Sequence, residues 1–153
     1  SRYVAALGNG GKVYNLMIVD SITSPEGEIV SQRTPSLFNE FEGAEQYLPY
    51  ILEGMKGVVD ESGTASKYFR SWAYRNMVCA KTGTAEVTTI DLENNAWFVC
   101  FAPYDDPQIA LAVVIEKGGS GGALASTAVQ ILNAYFTSVD EAKAVVGENM
   151  LIQ

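Results

Sequence analysis

Apolar and polar positions alternate along this chain with two periods, one helical and one of strands. Tyr3, Val4 and Leu7 share one side of a helical turn, and Gly8-Asn9-Gly10-Gly11 ends it, because these residues tolerate positive φ. Val13 to Thr23 reads as a strand, Pro25-Glu26-Gly27 as a turn, and Glu28 to Arg33 as the returning strand of a hairpin. A helix is expected from about Gln46 to Glu61. Its apolar positions Leu48, Ile51, Leu52, Met55, Val58 and Val59 fall at helical spacing, and Pro49 suits only its first turn. Ser62-Gly63-Thr64-Ala65 breaks the pattern, and a short helix follows over Ser66 to Trp72.

Three strands come next, over Met77–Glu86, Ala96–Ala102 and Ile109–Glu116. The middle one is apolar at every position, as expected for a strand buried on both faces. The short link Pro103-Tyr104-Asp105-Asp106-Pro107 makes the last two antiparallel neighbours. Gly118 to Gly122 reads as a flexible loop. A helix over about Ala123–Phe136 follows, with Leu124, Ala128, Ile131, Leu132 and Tyr135 as its buried stripe. A further short helix is expected over Asp140–Val146. The fold class is α+β: an antiparallel sheet with packed helices.

Composition narrows the function. The chain has 153 residues and is 48% hydrophobic, enough for a folded core. Its longest wholly apolar strand runs, Ala96 to Ala102 and Ile109 to Ile115, are far short of the roughly twenty residues that cross a bilayer. Ser1-Arg2-Tyr3-Val4 lacks the pattern of a signal peptide, and a helix already in progress at Ser1 is read as part of a longer protein. The formal charge of -8, with no run of Lys or Arg, argues against a nucleic-acid partner. The chain contains no histidine, which excludes from it a Ser-His-Asp triad, a Cys-His dyad and any His-based metal site. Proton transfer would fall to Lys, Glu, Asp or Tyr.

The chemistry concentrates in Lys81-Thr82-Gly83-Thr84-Ala85-Glu86, which continues the apolar segment Met77-Val78-Cys79-Ala80. Strand alternation puts Thr82 and Thr84 on one face and Lys81 and Gly83 on the other. Two hydroxyls two residues apart can both reach one carboxylate, while Lys81 supplies a fixed positive charge beside them. Gly83 leaves room for close approach of a ligand or another backbone. On a sheet edge, such a strand can pair with an extended peptide.

Lys-Thr-Gly is a motif of serine β-lactamases and penicillin-binding proteins, and the sequence resembles class B penicillin-binding proteins over about residues 1–136. Five segments carry the resemblance, in order. Tyr3-Val4-Ala5-Ala6-Leu7-Gly8-Asn9-Gly10-Gly11 is similar to the helix end after that family's second motif. Ile51 to Val59, and then Gly63-Thr64-Ala65, resemble its next helix and loop. Ala80 to Glu86 resembles the motif strand, and Ala96-Trp97-Phe98 with Phe101-Ala102-Pro103 the adjacent one. The resemblance implies the C-terminal part of a β-lactamase/transpeptidase-like fold, with residues 137–153 as a tail. It implies acyl transfer: a serine attacks a peptidoglycan stem peptide ending in D-Ala-D-Ala, and an amine of a second stem peptide resolves the acyl-enzyme. β-Lactams would trap that serine. Lys81 would hold a middle-motif serine and attract the substrate carboxylate. Thr82 and Thr84 would bind that carboxylate, Gly83 would line the site, and the Thr84 N–H would be one of two oxyanion donors. No cofactor is implied. The implied partners are the upstream half of the same domain and a membrane glycosyltransferase. The implied location is the extracytoplasmic face of the bacterial membrane, with the parent anchored by an N-terminal helix outside this chain.

The sequence departs from the family in places. No serine here has a Lys three residues later, and there is no Ser-x-Asn. The nucleophile and its base are therefore expected upstream, and this chain alone is expected to be inactive. Tyr74-Arg75-Asn76 lies too close to Lys81 for a middle motif and reads as ordinary surface. Ala80, Asn95 and Cys100 stand where the family commonly has Gly, His and Gly. Cys79 and Cys100 read as buried free thiols, with a cross-strand disulfide as the alternative if the hairpin turns near residue 90. Glu86 and Glu116 read as solvated strand ends rather than a paired-carboxylate site. Trp97, Phe98 and Phe101 read as core. Trp72 and Tyr74 are candidates for the groove edge, with ordinary packing as the alternative. Two other functions stay open: a β-lactamase or β-lactam sensor of the same fold, and a non-catalytic module that holds a peptide or partner at the strand edge.

Overall fold

Among the described residues are seven strands, four α-helices and two short 3-10 helices, joined by turns. A computed structural model describes residues 1–60, 62–86 and 93–150, the last ten as helix backbone only. Helix α1 spans Arg2–Gly8, and strands β1 (Lys12–Tyr14), β2 (Ser21–Thr23), β3 (Ile29–Gln32) and β4 (Leu37–Glu40) follow. Helices α2 (Ala44–Gly57) and α3 (Ser66–Phe69) lead to β5 (Cys79–Ala85), β6 (Asn95–Ala102) and β7 (Ile109–Ile115). Helix α4 spans Ala125–Met150.

The central sheet is antiparallel, in the order β5-β6-β7. Its register assigns side chains to faces. Cys79, Lys81 and Gly83 pair with Phe101, Val99 and Trp97 and so share one face; Ala80, Thr82 and Thr84 pair with Cys100, Phe98 and Ala96 on the other. Val4, Leu7, Leu48 and Met55, from α1 and α2, pack with Cys79 and Phe101 on the first face. On the second, Phe69, Trp72, Leu124, Ala128, Leu132 and Phe136 pack against Ala80, Phe98 and Cys100. The sheet is thus a middle layer between two helical layers.

The structure corrects several expectations. The long strand over Val13–Thr23 is two short ones separated by residues 15–20. β1 pairs with β4 and β2 with β3, so pairing across the chain divides what the local pattern joins. Strand β4 carries no clear alternation in Leu37-Phe38-Asn39-Glu40 and is created by its pairing with β1. The hairpin turn holds: Gly27 has φ 89°, and its N–H donates to the Ser24 carbonyl at 3.0 Å. Helix α2 begins and ends earlier than expected, and Pro49 lies beyond its first turn. Glu61 lies outside the described residues.

Some expected core positions are exposed. Tyr3 is 63% exposed although Val4 and Leu7 are buried; its ring meets Phe41, at 5.8 Å between centroids, on the surface. Ile51 points outward from α2, while Leu48 and Met55 face inward. On α4 the buried stripe runs through Ala128, Leu132 and Phe136, leaving Ile131 exposed. The separate helix over Asp140–Val146 is absent, because α4 runs unbroken to Met150; no Gly or Pro interrupts Thr137-Ser138-Val139-Asp140. Among the described residues no helix is long and apolar enough to cross a membrane.

Candidate active-site strand

The Lys-Thr-Gly segment lies within β5, at an edge of the central sheet. The apolar start of β5, Cys79 and Ala80, is fully buried and anchors the strand, while Lys81, Thr84 and Ala85 are exposed. One strand therefore passes from the core to the surface within three residues. The Lys81 Nζ donates to the carbonyl of Thr82. A side chain reaches such a carbonyl on the outer edge, not in the ladder with β6. Residues two apart in an antiparallel strand direct their N–H and C=O the same way. The Thr84 backbone groups therefore also face away from β6, toward whatever adds to this edge.

The two threonines share the α3/α4 face of the sheet, at its rim, where two loops converge. Thr82 Oγ1 lies 3.1 Å from Thr64 Oγ1, in the loop between α2 and α3. The N–H of Gly121 donates to Thr84 Oγ1 at 3.5 Å. The segment 118–122, expected to be a flexible loop, instead lies packed on the sheet. Gly121 is buried, and a Cβ on it would stand 2.2 Å from the Gly83 carbonyl oxygen and 2.4 Å from that of Trp97. The Gly119 N–H donates to the Asn94 carbonyl at 2.9 Å, and Asn95 Oδ1 accepts from the Lys117 N–H at 3.0 Å. The glycines serve close backbone approach here as well as turning.

Gly83 faces Trp97 across the ladder, and a Cβ at Gly83 would come 3.2 Å from the Trp97 Cβ. Trp97 is 43% exposed, which corrects its assignment to the core along with the expectation that β6 is buried on both faces. Phe98 and Phe101 are buried as expected. The α1/α2 layer covers the Cys79–Phe101 end of its face and stops short of the Gly83–Trp97 end, so the indole lies open beside the Lys81 and Gly83 positions.

Other candidates resolve differently. Cys79 and Cys100 are free and buried. Cys79 pairs with Phe101 and Ala80 with Cys100, so the two sulfurs lie on opposite faces of the sheet, and this offset excludes the disulfide alternative. Burial pushes both thiols up to about 12, with Lys56 opposing the shift at Cys79. Trp72 and Tyr74 do not edge the motif strand. Trp72 packs against Phe69 and Phe136 and donates its indole N–H to Asn133 Oδ1 at 3.2 Å. Tyr74 stacks on Phe136 and donates its hydroxyl to Asp140 Oδ2 at 2.7 Å, which raises the phenol pKa. Tyr74 thus belongs to the α4 contact, while Arg75 donates its Nε–H to Asn76 Oδ1 at 3.3 Å and Asn76 is exposed, as expected of surface. Glu86 and Glu116 are both exposed. The sequence reading missed Thr64 and Gly121. Thr64 reads there only as part of a helix breaker and Gly121 only as a loop glycine, and no local pattern links either to β5.

Comparison with known proteins agrees with this arrangement. The family model described as the penicillin binding protein transpeptidase domain matches residues 1–135. The peptidoglycan D,D-transpeptidase MrdA of Escherichia coli (strain K12) is 37% identical over 101 residues, covering 57% of this chain and 16% of that protein. The peptidoglycan D,D-transpeptidase PbpA of Mycolicibacterium smegmatis is 29% identical over 136 residues, covering 82% of this chain and 26% of that protein. Among solved structures, penicillin-binding protein A from M. tuberculosis, as a ceftriaxone acyl-enzyme complex, superposes with a TM-score of 0.71 at 27% identity, over 87% of this chain and 30% of that one. The chain thus spans only between 16% and 26% of the length of these two curated relatives. With an α+β fold, an edge-strand Lys-Thr-Gly and a family match that runs through nearly all of the described core, the chain belongs to the penicillin-binding protein transpeptidase domain family.

Proposed function

We propose that this chain is the Lys-Thr-Gly lobe of a serine D,D-transpeptidase that cross-links peptidoglycan stem peptides and is acylated by β-lactams. The observation that carries the reading is the position of Lys81-Thr82-Gly83-Thr84 on an edge of the central sheet, with both threonine hydroxyls on one face, the Lys81 ammonium at the outer edge and the Thr82 and Thr84 backbone groups turned outward. Relatives named peptidoglycan D,D-transpeptidases, and a structural neighbour caught as a cephalosporin acyl-enzyme, support it.

In this reading an extended peptide ending in D-Ala-D-Ala lies along β5. Its terminal carboxylate accepts hydrogen bonds from the Thr82 and Thr84 hydroxyls, with the Lys81 charge nearby; such charge-assisted bonds are each worth about 1.5–3 kcal/mol. A serine oxygen from the upstream half of the domain attacks the penultimate carbonyl carbon. The Thr84 N–H then donates to the oxyanion that forms, where loss of one such donor typically costs about 3–4 kcal/mol of transition-state stabilisation. The terminal D-Ala leaves with a proton, and the amine of a second stem peptide takes the acyl group and frees the serine. Binding, orientation and oxyanion stabilisation come from this chain, and the nucleophile and its base come from upstream. The same reading places the parent at the extracytoplasmic face of the membrane, with a membrane glycosyltransferase as a further partner.

The test uses the full-length parent. Lys81→Ala should lower the rate of labelling by a fluorescent penicillin by at least about 100-fold, while its thermal midpoint stays within a few degrees, since Lys81 is exposed. Normal labelling of that variant would remove Lys81 from the site. The isolated 153-residue chain should take no label at all, because it contains no Ser-x-x-Lys.

A further inference from the structure

The loop between α2 and α3 reaches the hydroxyl face of the motif strand. Thr64 Oγ1 lies 3.1 Å from Thr82 Oγ1, and among the described residues Thr82 is its hydrogen-bond partner. The loop is held firmly. The Gly63 N–H donates to the Asp60 carbonyl at 2.8 Å, and the Ala65 N–H to the Val58 carbonyl at 3.0 Å. Ala65 is fully buried, and a Cβ at Gly63 would stand 2.2 Å from the Gly57 and Val58 carbonyl oxygens. On the far side Gly122 closes on the loop, its own Cβ position 3.2 Å from the Thr64 carbonyl oxygen. The Thr64 hydroxyl is therefore presented to Thr82 from a braced backbone, although Thr64 itself is exposed.

We propose that Thr64 is a positioning residue that aims the Thr82 proton at the substrate carboxylate. The inference rests on the reading of Thr82 as a carboxylate ligand. A hydroxyl has one proton to donate and two lone pairs to accept with. A carboxylate only accepts, so a Thr82 bound to it must spend its proton there. Thr82 can still accept, and Thr64 has a proton to give. The chain Thr64 to Thr82 to carboxylate satisfies each group in one direction, and hydrogen bonds arranged in series polarise and strengthen one another. Without the Thr64 hydroxyl, Thr82 keeps its proton but loses the partner that fixes its rotor.

The experiment measures second-order acylation by a fluorescent penicillin in the full-length parent, normalised to the fraction that can be labelled. Thr64→Val should slow acylation by about 3- to 10-fold, the range of one net hydrogen bond. Thr64→Ser, which keeps the hydroxyl, should stay within about twofold of the parent. In a Thr82→Val background, Thr64→Val should cause no further loss, since its effect passes through Thr82. A merely structural role would give the same loss in both backgrounds, and that result overturns the proposal; so does parental acylation by Thr64→Val. If Thr82→Val and Lys81→Ala both acylate normally, the motif reading itself has failed. If those two are slow and Thr64→Val is fast, only the role of Thr64 has failed.

Discussion

Cys79 and Cys100 stand one residue out of register across β5 and β6, and that offset decides their chemistry. Each sulfur is sealed in a different helical layer, and desolvation holds both thiols protonated up to about 12, against an ordinary value of 9.0. Above pH 9 the unfolded chain has released these protons while the folded one retains them. Their contribution to stability is therefore complete below about pH 9 and is lost as pH rises toward about 12, with a slope of at most about 1.4 kcal/mol per pH unit for each thiol. Urea midpoints measured between pH 8 and pH 11 should fall, and the fall should be shallower in Cys100→Ala. An equal slope in that variant would assign the effect to other groups. Neither thiol should react with a disulfide reagent until the chain unfolds.

At the scale of elements, two glycines with opposite surroundings test what the packed 118–122 segment does. Gly121 touches the backbone of β5 and β6, and a Cβ there overlaps the Gly83 carbonyl oxygen at 2.2 Å. Gly121→Ala should push this segment off the sheet and destabilise the chain by about 1–3 kcal/mol. It should also loosen the N–H held over Thr84. Gly54 lies inside α2 with nothing within 4 Å of its Cβ position. Gly54→Ala should raise stability by about 0.4–1 kcal/mol through helix propensity and lower unfolded-state entropy. Equilibrium urea denaturation reads both. If the two substitutions had the same sign, close packing at Gly121 would not be what the glycine serves.

For the whole molecule, the sheet separates two cores, and their independence is measurable. Leu132 is fully buried in the α4 layer and Leu48 nearly so in the α2 layer. Each Leu→Ala change should cost about 2–5 kcal/mol, with Leu132 the larger. The double variant should lose the sum to within about 0.5 kcal/mol, because the two sites share no side-chain partner. A clear departure from additivity would show that strain crosses the sheet. The two-layer cover also suits the role proposed for β5: its first residues are clamped from both sides, so its exposed continuation is held in place without being covered.

Local pattern alone determined much of this protein. The three-strand run β5-β6-β7 and the opposite faces of Lys81 and Thr82 follow from side-chain periodicity, and the antiparallel β6–β7 pair from its short link, all of which the chain carries at short range. The motif could be read because a strand displays its chemistry at a period of two. Tertiary structure decided the rest. It split Val13–Thr23 by pairing β1 with β4, left Trp97 half open where a helical layer ends, and set the offset that separates Cys79 from Cys100. It also brought Thr64 to Thr82 across 18 residues and laid Gly121 on the motif strand. Those placements depend on which layer ends where and on register between distant segments, and neither quantity is stored in any one stretch of sequence.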